Sequence, residues 1–295
     1  MTSDKQEYRI RNAATQKYYC FILAADAELR RSLLLVIRHS SLVVRHCREM
    51  KLEAYRIMEE MENSYWWFRA RREIISGTLT RYLAPGSDIL DFGCGTGGIA
   101  TKLCELGYRV VAADNSEQAL AACRRVGFQT IDLSNEWPAR GSADCVLAGD
   151  VLEHIEDDVG LLVKLRDTLR PGGYLIATVP AYEFLWSGED YVSNHVRRYT
   201  RSTLQRRICA AGYRTIWCSY FNTILFPVVL AAVLGKRIFR PRDMYRSDVS
   251  PLPDWQNETL YTLFAFERHL LRGLRFPVGA SLITVAKALG QEPKT

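Results

Sequence analysis

The sequence lacks the features that define several specialised protein classes. It has eight cysteines but no C-x-x-C pair, and its five histidines are scattered along the chain. Because a structural zinc site needs clustered Cys or His ligands, we expect no metal. The longest uncharged apolar run, FNTILFPVVLAAVL at 221–234, is shorter than the ~20 residues of a membrane-spanning helix. A net charge of +6 over 295 residues is too small to indicate a dedicated nucleic-acid binder.

The composition is that of an ordinary globular protein. Apolar residues make up 48% of the chain and charged residues 24%, which suffices for a sizeable buried core. Most of the cysteines lie in apolar segments. We therefore interpret them as reduced core residues and expect a cytoplasmic protein.

Four segments differ in composition and pattern. Residues 1–49 contain no glycine or proline, and we expect an N-terminal extension that is disordered or not native, with Met50 as an alternative start. Residues 50–84 predict a helical lid segment. Residues 85–221 and 280–288 alternate between strand and helix and form the predicted main domain, and residues 222–279 predict a helical insertion.

Strand–helix alternation dominates the main domain. Apolar strands such as DILDF and RVVAAD alternate with helical patterns such as GIATKLCELG, and Pro171-Gly172 precedes the strand GYLIATVP. This alternation predicts an α/β fold with a mostly parallel sheet and helices on both faces. Right-handed crossovers would place the loops that follow the strands at one edge, where ligands bind.

The stretch ILDFGCGTGGIATKL predicts a strand, a glycine loop and a helix. Gly93, Gly95 and Gly98 fit the dinucleotide pattern G-x-G-x-x-G. Gly93, Gly95 and Gly97 also fit G-x-G-x-G, the loop that binds S-adenosylmethionine. The glycines alone therefore leave two cofactors open.

Two acids bear on the choice between these cofactors. Asp114 ends the second strand and suits the ribose of either cofactor, so it decides nothing. Asp91 stands two residues before Gly93, where a carboxylate would repel the pyrophosphate of a dinucleotide. The same carboxylate favours the sulfonium and ammonium groups of S-adenosylmethionine.

Five motifs in register resemble those of the class I S-adenosylmethionine-dependent methyltransferases. They are the glycine loop Asp91–Gly97, the acid Asp114, the pair Asp132-Leu133, the D-V-L-E-H segment Asp150–His154 and the turn Leu169–Gly173. The resemblance implies S-adenosylmethionine as the cofactor. It also implies a Rossmann-like, seven-stranded sheet whose last strand is antiparallel and follows the helical insertion. The implied cofactor site comprises Asp91, Gly93, Cys94, Gly95, Gly97, Asp114, Asn115, Asp132, Leu133, Asp150, Trp66 and Arg69.

Two further segments are similar to those of a bacterial branch of this superfamily. YWWFRARR at 65–72 precedes the sheet, and HVRRYT at 195–200 follows the fifth strand. Members of that branch often accompany enzymes of surface-polysaccharide and lipid-linked sugar synthesis. By analogy, we expect a methyltransferase for a small acceptor, either lipid-linked or a saccharide, with oxygen as the methylated atom.

Two histidines are candidates for a catalytic base. A hydroxyl acceptor must lose a proton, and His is suited to take it near neutral pH. His195 follows the fifth strand, with a surface or helix-capping role as its alternative. His154 follows the fourth strand, with a structural hydrogen bond to backbone as its alternative. Arg197 and Arg198 either bind an anionic substrate or form a solvated face.

The lid segment carries aromatic and basic residues with two interpretations. Trp66 or Trp67 either lies against the cofactor and excludes water or packs between helix and sheet. Arg69 is expected to reach the cofactor carboxylate. Arg71 and Arg72 are expected to be solvated.

The insertion combines an apolar stretch with a basic cluster. A helix over 222–242 could lie on a bilayer surface, with Lys236, Arg237, Arg240 and Arg242 near lipid headgroups. The alternative is a helix packed on the domain or at a dimer contact. Peripheral contact with the inner membrane surface is therefore a hypothesis, and the sequence leaves the oligomeric state open.

Three other functions compete with an active methyltransferase. A non-catalytic partner subunit that binds S-adenosylmethionine would also keep Asp91 and Asp114. An NAD-dependent oxidoreductase is disfavoured by Asp91 and by the lack of a recognisable second catalytic domain. Methylation of nucleic acid is disfavoured because residues 150–153 read DVLE where amino-methylating enzymes place an N-P-P-Y tetrad. We therefore expect no nucleic-acid partner.

Overall fold

The computed structural model describes residues 60–239, 247 and 249–289. The predicted extension over 1–49 lies outside these residues. So do the first part of the predicted lid, 50–59, and the basic residues Arg240 and Arg242. Within the described ranges, no helix combines the length and the apolar character that crossing a membrane requires.

Seven strands form one mixed sheet. They are β1 (Asp88–Phe92), β2 (Arg109–Asp114), β3 (Gln129–Asp132), β4 (Ala143–Gly149), β5 (Leu169–Pro180), β6 (Tyr213–Phe221) and β7 (Ser281–Ala288). Their spatial order is β3-β2-β1-β4-β5-β7-β6. Six strands are parallel, and β7 runs antiparallel to both of its neighbours. The sheet confirms the predicted Rossmann-like fold with its last strand antiparallel.

Helices cover both faces of this sheet, as predicted. The helices of the described ranges are α1 (Trp66–Leu79), α2 (Gly98–Glu105), α3 (Glu117–Val126), α4 (Asp158–Thr168), α5 (Gly188–Val192), α6 (Arg201–Ala210), α7 (Phe226–Phe239) and α8 (Asp254–Leu270). Short 3-10 turns are present at Leu152–His154 and Glu183–Leu185.

Alternate residues of β4 point into two different hydrophobic clusters. Val146 and Ala148 belong to a cluster that includes side chains of α4 and α6. Cys145 and Leu147 belong to a cluster that includes side chains of α1, α2 and α8. Because both faces of the strand are covered, its sequence is apolar almost throughout instead of alternating with polar residues.

The carboxyl ends of the parallel strands meet at one edge of the sheet. The strand order reverses between β1 and β4, and ligands of open α/β sheets bind at such a switch point. Three residues with a left-handed backbone follow strands at this edge: Asp150 (φ 58°), Tyr182 (φ 58°) and Asn222 (φ 54°). Backbone strain of this kind concentrates at functional sites.

Two predicted elements have different limits in the structure. The helical lid is interrupted, because residues 62–65 form a turn before α1 begins at Trp66. The fifth strand begins at Leu169 and not at Gly173. Leu169 is buried and already pairs with Ala143 of β4, and the register then shifts at an irregularity.

The predicted insertion over 222–279 contains α7 and α8. Helix α8 packs along α1, where Asn257 accepts a hydrogen bond from the Trp66 backbone N–H at 2.8 Å. An ion pair between Arg268 and Glu73 at 2.7 Å joins the same two helices. Helix α7, in contrast, buries only Val233.

Candidate active site

The loop between β1 and α2 requires glycine. Gly93, Gly95 and Gly97 adopt positive φ angles of 74°, 54° and 89°. A Cβ atom on Gly93 would lie 2.5 Å from Cγ2 of Val151, which follows the neighbouring strand β4. The loop therefore presents backbone instead of side chains, which allows close approach of a ligand.

Side chains beneath and behind the loop hold its shape. The Asp114 carboxylate accepts hydrogen bonds from the backbone N–H groups of Gly95 at 3.1 Å and Ser116 at 2.9 Å. The Cys94 side chain is buried, with its Sγ 3.7 Å from the Sγ of Cys123. Cys94 thus packs below the loop with its side chain and contributes backbone to the loop surface.

Asp91 is a buried carboxyl group at the mouth of the glycine loop. Its side chain is 2% exposed, and its Oδ2 has no hydrogen-bond partner in the described part of the chain. Burial raises the pKa of Asp91 to about 7; nearby Arg71 opposes this shift, whereas the negative charges of Glu62 and Asp114 add to it. In its ionised form this carboxyl group is suited to a cationic ligand and would repel a phosphate.

Glu62 places a second carboxylate at the loop, which the sequence did not reveal. It accepts a hydrogen bond from the N–H of Gly98 at 3.0 Å and another from the Thr96 hydroxyl. It therefore occupies the N-terminus of α2, where the helix dipole favours negative charge. The acid-rich run MEEMEN at 58–63, just before the aromatic lid motif, was the available signal.

The ends of β2 and β3 are joined beside the loop. The N–H of Leu133 donates to the carbonyl of Asp114 at 2.9 Å, and the Ser134 hydroxyl donates to the carbonyl of Asn115 at 3.3 Å. A hydrogen bond from the Ser134 N–H lowers the pKa of Asp132. These residues of the predicted cofactor site lie along one edge, and their contact with a cofactor stays a prediction.

Arg71, and not Arg69, reaches from α1 to the ends of β4 and β5. Its buried guanidinium pairs with Asp150 at 2.7 Å and donates to the Thr178 hydroxyl at 3.1 Å. Arg69 pairs instead with Glu258 of α8. Two residues turn a helical side chain by about 200°, so the two arginines point in different directions. The expectation that Arg71 is solvated is therefore wrong, whereas the contact of Arg69 with the cofactor carboxylate stays a prediction.

Trp66 packs between α1 and α8. Its ring meets that of Phe264 edge-on, with centroids 5.8 Å apart. This contact is packing between two helices, and the predicted contact of Trp66 with the cofactor stays a prediction. Trp67 is closer to the ligand edge, since the guanidinium of Arg71 lies 5.3 Å from its ring centroid. A cation–π contact of this kind helps to position the arginine.

Asp190 holds His195 in one orientation. Its Oδ1 lies 2.7 Å from Nδ1 of His195, and Arg198 binds both of its oxygens at 2.7–2.8 Å. Burial alone would raise the pKa of Asp190, but the hydrogen bonds from His195 and Arg198 outweigh it and hold the pKa at about 2. Arg198 is thereby committed to Asp190, and Arg197 pairs with the buried Asp158 at 3.0 Å. Neither arginine forms the solvated face that the sequence allowed.

Glu153 adds a buried carboxyl group to the two predicted histidines. The rings of His154 and His195 meet edge-on, with centroids 4.6 Å apart. The Glu153 side chain is 0% exposed, and within the described residues neither of its oxygens has a hydrogen-bond partner. Burial raises the pKa of Glu153 well above its ordinary value, and the negative charge of Asp150 adds to the effect. The structure thus brings both histidines together at the end of β4.

A family model described as a methyltransferase domain matches residues 66–217, which is just over half of the chain. The chain belongs to this methyltransferase family. The matched residues run from α1 into β6 and include the glycine loop, Arg71, the acids at the ends of β2, β3 and β4, and the His154–His195 pair.

Curated relatives of this methyltransferase carry related descriptions. The chain is 28% identical over 170 residues to a protein of Mycolicibacterium smegmatis named as a probable S-adenosylmethionine-dependent methyltransferase, covering 56% of this chain and 65% of the relative. It is 31% identical over 128 residues to a ubiquinone biosynthesis O-methyltransferase of Methylocella silvestris, covering 39% and 50%. The chain thus spans less than two thirds of the length of these relatives.

Solved structures share the fold. A Burkholderia thailandensis 1,6-didemethyltoxoflavin-N1-methyltransferase, solved with 1,6-didemethyltoxoflavin and S-adenosylhomocysteine, matches with a TM-score of 0.51 at 16% identity over 86% of this chain and 90% of that one. A chain of the Haloferax volcanii complex between the Trm112 methyltransferase activator and a methyltransferase matches with a TM-score of 0.53 at 17% identity, covering 83% and 98%.

The family and the fold together assign the class. The domain is that of a class I S-adenosylmethionine-dependent methyltransferase, an enzyme class whose cofactor is S-adenosylmethionine. The predicted cofactor, S-adenosylmethionine, is confirmed at the level of this class, and the role of Asp91 in its choice stays a prediction.

Proposed function

We propose that this methyltransferase transfers a methyl group to an oxygen atom of a small acceptor that is a saccharide or is linked to a lipid. The observation that carries the choice of oxygen is the pairing of His195 with Asp190 beside His154 and Glu153. A hydroxyl must lose its proton to attack, and such a cluster can assist that loss. The ubiquinone biosynthesis O-methyltransferase among the relatives supports the same atom.

The residues around the glycine loop fit the charges of the cofactor. Asp91 has an unpartnered oxygen for an ammonium group, and the N-terminus of α2 already accommodates a carboxylate, that of Glu62. Asp114 and Asp132 supply acceptors at the strand ends where ribose hydroxyls would lie. When bound, the cofactor supplies a methyl group activated on a sulfonium.

The protein's own task in such a displacement is alignment and exclusion of water. Arg71 connects α1 to the ends of β4 and β5 through Asp150 and Thr178. Thr178 also donates to Asp150 at 2.9 Å, so the left-handed backbone at Asp150 is held from two sides. These contacts fix the wall between the loop and the histidine cluster.

Aromatic rings around Tyr182, just after β5, support an acceptor with a ring or an apolar chain. Tyr182 stacks on Phe184 at 4.9 Å and on Tyr220 at 5.1 Å between ring centroids. The ring of Phe226, at the start of α7, lies 6.1 Å from Tyr182. Flat apolar surfaces of this kind line many ligand sites and provide most of the buried contact area.

Helix α7 supports a peripheral contact with the cytoplasmic surface of the inner membrane. Its exposed apolar residues include Val228, Leu234, Ile238 and Phe239. Arg237 donates to the carbonyl of Trp186, which ties α7 to the loop before Asp190. A largely apolar helix with Lys236 and Arg237 in its last turn is suited to the interface of an anionic bilayer. The cluster of Glu153, His154 and His195 would then lie near the lipid surface.

Vesicle flotation of matched variants tests this contact. Val228 on α7 and Val126 on α3 are equally exposed, at 62%. With phosphatidylglycerol vesicles, we expect the wild type and Val126→Asp to float and Val228→Asp to remain in the dense fraction. Flotation of Val228→Asp with the wild type, or no flotation of the wild type, contradicts the membrane proposal.

Transfer of an isotope-labelled methyl group tests the function itself. The full chain is incubated with labelled S-adenosylmethionine and a bacterial lipid extract that contains lipid-linked saccharides, and the products are analysed by mass spectrometry. We expect the labelled methyl group to be bonded to an ether or ester oxygen of a lipid-linked or saccharide product. Label bound to nitrogen, sulfur or carbon, or no label in any fraction, contradicts the proposed acceptor.

A further inference from the structure

Side chains of the 3-10 turn after β4 and of the loop before α6 form a candidate second ligand site. We propose that Glu153, His154 and His195 bind a divalent first-row transition-metal ion, contrary to the expectation from the sequence. The site deepens the proposed function and rests on it for its role, because a cation there would hold the acceptor oxygen.

The three side chains converge on one point. A carboxylate oxygen of Glu153 and a ring nitrogen of each histidine all lie within 4.8 Å of one another. Metal bonds of about 2.1 Å separate neighbouring ligand atoms by roughly 3–3.5 Å, so binding needs shifts of about 1 Å. The backbone already joins the two segments, since the N–H of Val196 donates to the carbonyl of Glu153 at 2.8 Å.

Within the described residues, the buried carboxylate of Glu153 lacks a hydrogen-bond donor, and a bound cation would stabilise its charge. Asp158 is almost as buried, but it receives hydrogen bonds from Arg207 and from the Tyr199 hydroxyl. Glu153 receives none within the described residues. The nearby positive charge of Arg71 is already paired with Asp150. An unpartnered buried carboxylate is costly, and a bound cation is one of the few ways to stabilise it.

The surroundings of His195 are those of a metal ligand. Asp190 is fully buried and bonds to Nδ1, which fixes the proton on that nitrogen and leaves Nε2 as the electron-pair donor. Arg198 and the N–H of Ser187 in turn fix Asp190. A carboxylate that orients a histidine from behind is the usual arrangement around bound metals.

Two imidazoles and one carboxylate suit ions such as Mn²⁺, Fe²⁺, Co²⁺ and Zn²⁺. Three protein ligands leave coordination positions open, and the exposed ring of His154 shows that the site is accessible. A hydroxyl group in an open position would lose its proton to water more readily than a free hydroxyl. The site would thereby activate an oxygen acceptor, and His195 would act as a ligand and not as the base.

Titration with Mn²⁺ tests the site without a known acceptor. Mn²⁺ is the better probe because the eight cysteines of the chain could bind Zn²⁺ elsewhere. After chelator treatment, free Mn²⁺ is measured by electron paramagnetic resonance. We expect one ion per chain, with at least tenfold weaker binding to Glu153→Gln and to His154→Asn. The control Glu156→Gln removes the same charge from an exposed neighbour and should change the affinity less than twofold.

Parallel titration with S-adenosylhomocysteine separates this proposal from the proposed function. No Mn²⁺ binding, or equal binding by wild type and Glu153→Gln, overturns the cation site even where S-adenosylhomocysteine binds normally. Mn²⁺ binding that Glu153→Gln abolishes, in a protein that binds no S-adenosylhomocysteine, supports the site and contradicts the proposed function.

Discussion

The loop that receives the cofactor and the cluster that faces the acceptor are built differently. The loop is a short continuous segment whose backbone does the binding, and its glycines are required by φ and by the contact with Val151. The cluster is made of side chains from the 3-10 turn after β4, from α5 and from the loop before α6. A site made of backbone follows from local sequence, whereas a site made of converging side chains depends on the whole fold.

The largest loss of cofactor affinity is expected where a substitution disturbs the backbone of the glycine loop. Gly93→Ala should lower the affinity for S-adenosylhomocysteine at least ~100-fold, because it combines strain at positive φ with a close contact to Val151. Isothermal titration calorimetry measures the loss. The control Gly127→Ala also has positive φ but open space around its Cβ, so it should retain the affinity. Equal losses in both variants would mean that the loop has no special requirement for glycine.

The side-chain wall should depend on Arg71 far more than on Arg69. Arg71→Met leaves the partly buried Asp150 without its partner and should lower the free energy of unfolding by about 3 kcal/mol. Arg69→Met removes a more exposed ion pair and should cost less than about 1 kcal/mol. Urea denaturation of both variants measures the difference. A larger effect of Arg69→Met would reverse the assignment of the two arginines.

Asp91 should make cofactor binding depend on pH. The pKa of Asp91 is raised to about 7, so the group is largely neutral below that pH and negative above it. Because an ammonium group binds the carboxylate form, the affinity for S-adenosylhomocysteine should rise between pH 6 and 8 and then level off. Asp91→Asn should bind about tenfold more weakly at pH 8 and lose this rise.

The raised pKa of Asp91 should lower the stability of the ligand-free protein as the pH rises, whereas it raises the affinity for the cofactor. A raised pKa means that the stability contributed by neutral Asp91 is complete below pH 3.8 and is lost as the pH rises through about 7. Asp91→Asn should therefore be more stable than the ligand-free wild type at pH 8. Thermal unfolding at pH 5 and pH 8 gives the comparison, and a destabilised Asp91→Asn at pH 8 would contradict the buried, unpartnered carboxylate.

Substitution of Glu62 should have the smallest effect on cofactor binding. Its negative charge helps to raise the pKa of Asp91, so Glu62→Gln should move the midpoint of the pH-dependent binding to lower pH by less than about one unit. Titrations at a series of pH values measure the midpoint. The exposed Glu60 provides the control, because Glu60→Gln removes the same charge two residues away. A midpoint that moves upwards would mean that Glu62 does not act through its charge.

The sequence predicted the fold and the cofactor loop for the same physical reason. Strand–helix alternation and the glycines are local patterns, so the mostly parallel sheet and the loop followed from them, whereas the antiparallel last strand followed from the resemblance to the class I methyltransferases. The end of β2 at Asp114 followed from the local pattern as well.

The side-chain contacts could not be predicted. Arg69 and Arg71 are equivalent in composition, and only the packing of α8 against α1 decides which of them reaches the ends of β4 and β5. Asp190 and Glu153 acquire their roles because the loop before α6 folds back onto the end of β4. No periodicity in the sequence records such a long-range contact.

The central claim is that Asp91 makes this loop a site for a cationic cofactor and not for a pyrophosphate. Calorimetric titration of the full chain with S-adenosylhomocysteine and, in parallel, with NADH tests it most directly. We predict micromolar binding of S-adenosylhomocysteine and none of NADH. Binding of NADH alone would contradict the account, because the loop would then hold a phosphate beside the Asp91 carboxylate.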